Sequence, residues 1–229
     1  MTKLIAKIKT PVGMLLLAGL VPLVVVIGMI ALLTGFRTAY HALYIPSSSM
    51  SPTLRVGDRV LFDKVSYHSH NPERGDIVAY YPPEEYGKRS DDLASQLGKI
   101  TGLPFLPNPT TFVHRVVAIP GDKVEVVKGD GVFVNANKVK YYIEPPNYDL
   151  RKLGQIGVFA YTNGKPPFPN DEHAIVVPPG QYFVLGDNIN NAMDSHIMGF
   201  IPRQDIVSKM SSILSRLPLK EGDDPRYAE

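Results

Sequence analysis

Hydrophobic positions along the chain fall into two regimes. Between Pro11 and Phe36 no residue is charged and almost all are apolar, whereas beyond Phe36 apolar residues come in short runs broken by Gly, Pro, Asn and Asp. The first regime predicts a membrane-spanning helix. At about 1.5 Å per residue it reaches about 39 Å, against a hydrocarbon core of about 30 Å. Gly13, Gly19, Pro22 and Gly28 would weaken a helix in water but are tolerated in a bilayer. Lys3, Lys7 and Lys9 precede the run and Arg37 alone follows closely. This basic bias places residues 1–10 in the cytoplasm and everything after the span on the far side. A cleavable leader would have an apolar core of about 7–15 residues followed by a small-x-small pair. Here the core is too long and Ala39-Tyr40-His41-Ala42 has the wrong spacing. An uncleaved single-pass anchor over residues 11–36 is expected, and nothing later is apolar enough to span again.

The second regime predicts strands. Arg59–Phe62 and Asp76–Tyr81 are β-branched or aromatic runs, each entered through Gly-Asp. Thr111–Ile119 is another, closed by Pro120-Gly121-Asp122 and followed by Lys123–Val127, so this pair is expected to form a hairpin. Val132–Val134 and Lys138–Tyr141 flank Asn135-Ala136-Asn137 as a second hairpin, and Gln181–Leu185 is the last strong strand. No long 3.6-residue period exists outside the anchor. The expected fold class is mainly β: an antiparallel domain over 37–128 and 178–218, interrupted by a smaller β insert over 129–177, with a frayed tail over 219–229. Pro82–Thr110 reads as a loop with one short helix near Asp91–Leu97.

Composition narrows the function. Twenty-four Lys and Arg against 22 Asp and Glu leave a net charge of +2, too balanced for a protein built on phosphate contacts, so no nucleic-acid partner is expected. The absence of cysteine excludes a disulfide scaffold, a thiolate metal site and a Cys nucleophile.

Three clusters could carry chemistry. Ser47-Ser48-Ser49 stands between prolines just past the span. The stretch also reads as a hydroxyl-rich linker, although apolar Ile45, Met50 and Leu54 frame it as no solvated linker requires. His114 lies in Phe112–Val117, where strict alternation puts Phe112, His114 and Val116 on one face; a histidine there is either a satisfied core residue or a base. Gly186 to His196 is dense in carboxylate, amide and hydroxyl groups. It too has bland readings, as a polar turn or a calcium loop, but the EF-hand spacing is not met.

Together these clusters resemble the type I signal peptidases. The likeness rests on four blocks in that family's order behind an N-terminal anchor: Ile45-Pro46-Ser47-Ser48-Ser49-Met50-Ser51-Pro52-Thr53-Leu54; Arg74-Gly75-Asp76-Ile77-Val78; Val113-His114-Arg115 through Pro120-Gly121-Asp122-Lys123-Val124; and Gly186-Asp187-Asn188 through Asp194-Ser195 to Gly199-Phe200-Ile201-Pro202. The resemblance implies an antiparallel β catalytic domain with a smaller β insert, lying at the membrane surface. It implies Ser49 as nucleophile, and the Ser47 hydroxyl with the Ser49 backbone N–H as oxyanion hole. Ile45, Pro46, Met50, Leu54, Phe112 and Val113 are implied to line shallow pockets for small side chains.

Two positions depart from the bacterial pattern. His114 stands where a lysine base is usual, and Ala192 stands where a serine commonly supports that lysine. An imidazole, with an ordinary pKa of ~6.5, is largely neutral at pH 7, whereas a lysine must first be desolvated. A histidine base needs a partner for its second nitrogen. Asp194 is the first candidate and Asp187 the second, giving an expected Ser49–His114–Asp194 triad. Lys123 is a fallback base, although after Pro-Gly-Asp it reads better as a solvated turn residue. An acid limb of activity is expected at about pH 6–7.

By resemblance the chain removes signal peptides from exported preproteins after small residues at −1 and −3, with no metal or cofactor. The site is expected on the outer side of the cytoplasmic (inner) membrane. Its partners are signal-peptide-bearing preproteins, the lipid bilayer and export machinery. Phe105, Leu106 and Phe168 are candidates for a face resting on lipid. Two alternatives stay open at this point: a dedicated processing peptidase of a pilin, conjugation or secretion system, and an inactive anchored module that binds exported segments.

Overall fold

A computed structural model describes residues 11–87, 92–101, 110–127, 131–139 and 174–216. The first element, α1 (Pro11–Ala39), is a single helix that carries Pro22 without interruption. Leu20, Val24, Ile27, Leu32 and their neighbours are exposed, as expected for a helix solvated by lipid instead of packed on a core. Strand β1 (Tyr40–Tyr44) follows directly, and the Phe36 and Tyr40 rings stack across the junction at 5.3 Å.

The remaining elements are β2 (Arg59–Asp63), α2 (Ser66–Ser69), β3 (Ile77–Tyr80), α3 (Leu93–Thr101), β4 (Phe112–Ala118), β5 (Lys123–Val127), β6 (Gly131–Val134), β7 (Asn137–Lys138), β8 (Ile175–Val176), β9 (Gln181–Leu185), α4 (Ser195–Met198), β10 (Ile201–Pro202) and β11 (Ile206–Ser215). They form two antiparallel sheets, a larger one in the order β1-β2-β11-β3-β4-β9-β10 and a smaller one in the order β7-β6-β5-β8. The mainly β, antiparallel expectation holds. Most of the expected insert, residues 140–173, lies outside the described residues, as do the cytoplasmic N-terminus, Phe105, Leu106, Phe168 and the tail.

The expected β4–β5 hairpin does not form. β4 pairs with β3 and β9, while β5 pairs with β6 and β8. The turn itself exists: the Asp122 N–H donates to the Ile119 carbonyl at 3.0 Å, and Gly121 has φ +91°. With Pro120 second and a positive-φ glycine third, this is a type II turn, whose twist splays its flanking strands. It therefore hands the chain from the larger sheet to the smaller, which starts at Lys123, upstream of the expected boundary at 129. Asp122 fastens the corner, accepting from the Arg74 guanidinium, the Ile119 N–H and the Asn135 amide. Burial pushes its carboxyl pKa up, but these donors outweigh that and bring it down to about 2.

The second hairpin forms with a two-residue loop, Asn135-Ala136, both at positive φ (50° and 65°). This is the type I′ geometry that favours Asn-Gly. An alanine there carries a steric cost that glycine avoids. Ala136→Gly should stabilise the fold by about 0.5–1 kcal/mol, read from a urea midpoint at unchanged slope.

Strands β1 and β11 went unforeseen. β11 pairs with both β2 and β3 and joins the two halves of the larger sheet, but its register shifts between Ile206 and Ser208 against β3, and between Met210 and Ser212 and between Ile213 and Ser215 against β2. Each bulge resets the alternation by one residue and erases the period of two. The expected short helix begins at Leu93 and ends at Thr101, later than expected.

Two hydrophobic clusters set the site between them. Ile45, Met50 and Leu54 pack with Val60, Phe62, Ile77 and Ala79 on one face of the larger sheet. Val78, Tyr80, Val116, Tyr182, Val184 and Met198 fill the opposite face. Met50, Leu54 and Phe62 are fully buried, at about 1.5–3 kcal/mol each, so the short chain between Pro46 and Pro52 is held from beneath.

Candidate active site

The serine loop enters from β1, leaves toward β2, and is tied down by main-chain bonds. Ile45 donates to Asp58 at 2.9 Å, Gly57 to Ile45 at 2.9 Å, and Leu54 to Met50 at 2.9 Å. Buried Ile45 and Met50 bracket Pro46 and Ser47, both exposed, and Ser48 and Ser49, both half-buried. The Ser47 and Ser49 hydroxyl oxygens are 3.3 Å apart.

Opposite stands the loop after β9. The Asn188 N–H donates to the Ser49 carbonyl at 2.9 Å. The Asn188 amide donates to the Ser48 carbonyl at 3.2 Å, and the Asn191 amide to the Ser48 hydroxyl at 2.6 Å. Asp187 completes the clamp. It accepts both Nε and Nη2 of Arg115 at 2.8 and 2.7 Å and the Thr53 hydroxyl at 2.5 Å. Arg115 also donates to the Gly75 carbonyl at 2.9 Å. One carboxylate thus joins β4, the serine loop and the Gly-Asp-Asn turn.

His114 lies on the buried face of β4 that alternation predicts, with only 3% of its surface exposed. The β3–β4 register sets Tyr80 opposite Phe112 and Val78 opposite His114. Tyr80 is therefore the diagonal neighbour of His114 on the same face, within reach of a long aromatic side chain. Its phenol oxygen sits 2.8 Å from His114 Nδ1. The Phe112 ring meets the imidazole edge to face at 6.1 Å. Burial in this aromatic setting pushes the His114 pKa down to about 4, against the pull of the Asp194 charge.

Gly186 is where the pieces meet. A Cβ built there would stand 2.6 Å from the Ser49 carbonyl oxygen, 2.4 Å from the Ala192 methyl and 3.5 Å from His114 Cδ2. Glycine lets the serine loop and the imidazole approach from two sides, with the Cδ2 edge of the ring toward Gly186 and the Nδ1 edge toward Tyr80. Among the described residues the Ser49 hydroxyl bonds only to Ser47, and no direct bond to His114 is formed. Catalytic hydrogen bonds commonly tighten only when substrate is bound.

Asp194, expected to orient His114, has other partners. Its Oδ2 accepts the Gly186 N–H at 2.7 Å. Its Oδ1 accepts the His196 backbone N–H at 3.0 Å and also the His196 Nδ1–H. Burial pushes the His196 pKa down, but the charge and hydrogen bond of Asp194 outweigh it and raise it. Asp194 therefore reaches His114 through its charge and not through a hydrogen bond. Asp187, the second candidate, is taken by Arg115 and Thr53. Lys123 opens β5 in the smaller sheet with its side chain exposed.

Of the expected pocket residues, Ile45, Met50 and Leu54 are buried core, Phe112 and Val113 are half-buried, and Pro46 is exposed. Motif reading missed Tyr80, Thr53, Arg115, Gly186, Asn188 and His196. The Gly-Asp-Asn turn itself signalled two of these positions, Gly186 and Asn188, whereas Tyr80 depends on strand register.

The chain is similar over most of its length to proteins already known. The sequence pattern described as "Signal peptidase, peptidase S26" matches residues 17–215. The chain is 38% identical over 191 residues to a probable signal peptidase I-1 of Synechocystis sp., covering 82% of this chain and 76% of that protein. It is 34% identical over 183 residues to a signal peptidase I of Leptolyngbya laminosa, covering 79% and 71%. A crystal structure of a signal peptidase I from Enterococcus faecalis aligns with 64% of this chain and 98% of that one, at 20% identity and a TM-score of 0.31. A match running from within the anchor helix to the end of β11, with relatives of this identity over most of both chains, leaves one assignment: the chain belongs to the signal peptidase family, peptidase S26.

Proposed function

We propose that this chain is a membrane-anchored serine endopeptidase that removes N-terminal signal peptides from exported preproteins, cutting after small residues at −1 and −3. Ser49 is the nucleophile and His114 the general base. The observation that carries this is the convergence at Gly186 of the Ser49 main chain and the His114 ring, within a family whose curated members include signal peptidases.

The chemistry follows from placement. His114 Nε2 takes the hydroxyl proton as Ser49 Oγ attacks the scissile carbonyl. The Ser49 backbone N–H and the Ser47 hydroxyl face the developing oxyanion, each such donor being worth about 10²–10³ in rate. The imidazolium then protonates the leaving amine, and water releases the acyl group from Ser49. The Asp194 field favours the imidazolium while it exists. Every step uses side chains, one backbone N–H and water, so the reaction so written requires no metal or cofactor.

Extended substrate has an edge to join. β9 meets β4 only from Arg115 onward, so Phe112–His114 is paired by β3 on one side alone. A preprotein segment added there would present alternate side chains to the sheet. Phe112, Val113 and Pro46 form the accessible rim, with buried Ile45, Met50 and Leu54 as the floor that keeps the pockets shallow. The anchor places the catalytic domain on the outer face of the cytoplasmic membrane, where signal peptides leave the bilayer, and so raises their effective concentration.

The test is cleavage of an Ala-x-Ala preprotein by the full chain in detergent, followed across pH. A buried neutral imidazole must stay unprotonated to act, so kcat/KM should be flat near pH 7 and fall only as pH drops through about 4, lower than an unperturbed histidine would give. A limb on the alkaline side, lost when Lys123 is replaced, would transfer the role to that lysine. Absence of cleavage at every pH would leave an anchored binding module.

A further inference from the structure

The geometry points to Tyr80 as the residue that positions the base, its phenol oxygen accepting the His114 Nδ1–H so that Nε2 carries the lone pair used on Ser49. This inference rests on the Ser49–His114 reading and supplies the orienting partner that Asp194 was expected to be.

Three observations support it. The Tyr80 oxygen is 2.8 Å from Nδ1 and is the only hydrogen-bond partner of the imidazole among the described residues. Asp194 accepts from Gly186 and His196 and Asp187 from Arg115 and Thr53, and neither is hydrogen-bonded to the imidazole. Tyr80 and His114 are both buried, on adjacent strands whose register makes them diagonal neighbours, so the pair cannot rotate into solvent and exchange partners with water.

An imidazole has two neutral tautomers, and only the one protonated at Nδ1 leaves Nε2 basic. The phenol can donate or accept, so something must bias it. The negative charge of Asp194 acts on Tyr80 as well as on His114. Such a field favours a phenol hydrogen turned toward Asp194 and away from the ring, which would leave an oxygen lone pair for Nδ1–H. Burial and the same charge push the Tyr80 pKa well up, so the phenol stays neutral. A neutral acceptor fixes the tautomer without the strong rise in basicity that a carboxylate would bring, consistent with an imidazole whose pKa lies near 4. The proton taken from Ser49 resides on Nε2 until it passes to the leaving amine, and Tyr80 neither gains nor loses one.

Tyr80→Phe keeps the ring in its cluster and removes only the oxygen. In the full chain in detergent, kcat for preprotein cleavage should fall about 10–100-fold with KM little changed, and the acid limb of the pH profile should move. Imidazole ¹⁵N shifts, assigned with His114→Gln, should show the Nδ1–H tautomer in the parent protein and a mixture in Tyr80→Phe. A parent His114 protonated at Nε2, or a Tyr80→Phe enzyme with unchanged kcat, pH profile and tautomer, overturns the inference. If His114→Gln abolishes cleavage while Tyr80→Phe does not affect it, the base assignment stands and only the role of Tyr80 is lost. If His114→Gln is active, both fall.

Discussion

Ser49→Ala should lower kcat for preprotein cleavage by about 10⁴-fold or more, while thermal stability changes little. The hydroxyl is half-buried at the top of its loop, and its one bond among the described residues is a 3.3 Å contact with Ser47. Its removal leaves no buried polar group stranded and opens no cavity, so the structural cost is small. The chemical cost, on the proposed mechanism, is the nucleophile itself. Residual turnover would come from the oxyanion donors acting on water, which is why the expected loss is finite. KM should hold within a few-fold, because the pocket floor and the β4 edge are untouched. Steady-state kinetics beside a thermal melt separate the two effects, and a variant that still turns over at a tenth of the parent rate would remove Ser49 from the nucleophile role.

Gly186→Ala should lower activity by about 10²-fold, for a steric reason. The new methyl would stand 2.4 Å from the Ala192 Cβ and 2.6 Å from the Ser49 carbonyl, both inside van der Waals contact. The Ser49 carbonyl belongs to main chain tied to Asn188 and cannot swing aside as a flexible side chain could. The two loops must part, carrying Ser49 away from His114. A displacement near 1 Å is worth about 10²-fold in rate, and overpacking costs about 1–3 kcal/mol of stability. Both losses should appear together, in kcat and in the melt, unlike the clean split expected for Ser49→Ala. An active, undisturbed Gly186→Ala enzyme would show that the approach of the two loops is dispensable.

Much of the architecture was legible because local rules held. The uncharged run of α1, the entry of β3 through Gly-Asp, the alternation in β4 and the turn at Asn135-Ala136 each carry their own signal. What failed were facts of pairing. Pro120-Gly121-Asp122 reads as a hairpin turn, but its type II geometry diverts the chain into a second sheet. β11 carries three register shifts that cancel its alternation, so its place in the larger sheet left no trace in sequence spacing. The site divides in the same way. Ser47, Ser49, His114 and the Gly-Asp-Asn turn were readable as motif chemistry. The partner of His114 was not, because strand register chooses between Tyr80 and a carboxylate. Asp194 lay close enough in sequence to the Gly-Asp-Asn turn to look available, yet Gly186 and His196, its near neighbours in the chain, claim it first.

The passage from α1 to β1 without an intervening residue has a geometric consequence. A hinge there would let the enzyme search a volume above the lipid, whereas a helix that turns straight into a sheet strand, with Phe36 stacked on Tyr40, acts as a stiff strut. On the proposed function, the scissile bond would then be chosen partly by altitude. Peptides whose small residues emerge at the wrong height above the headgroups would be passed over, however well their side chains fit.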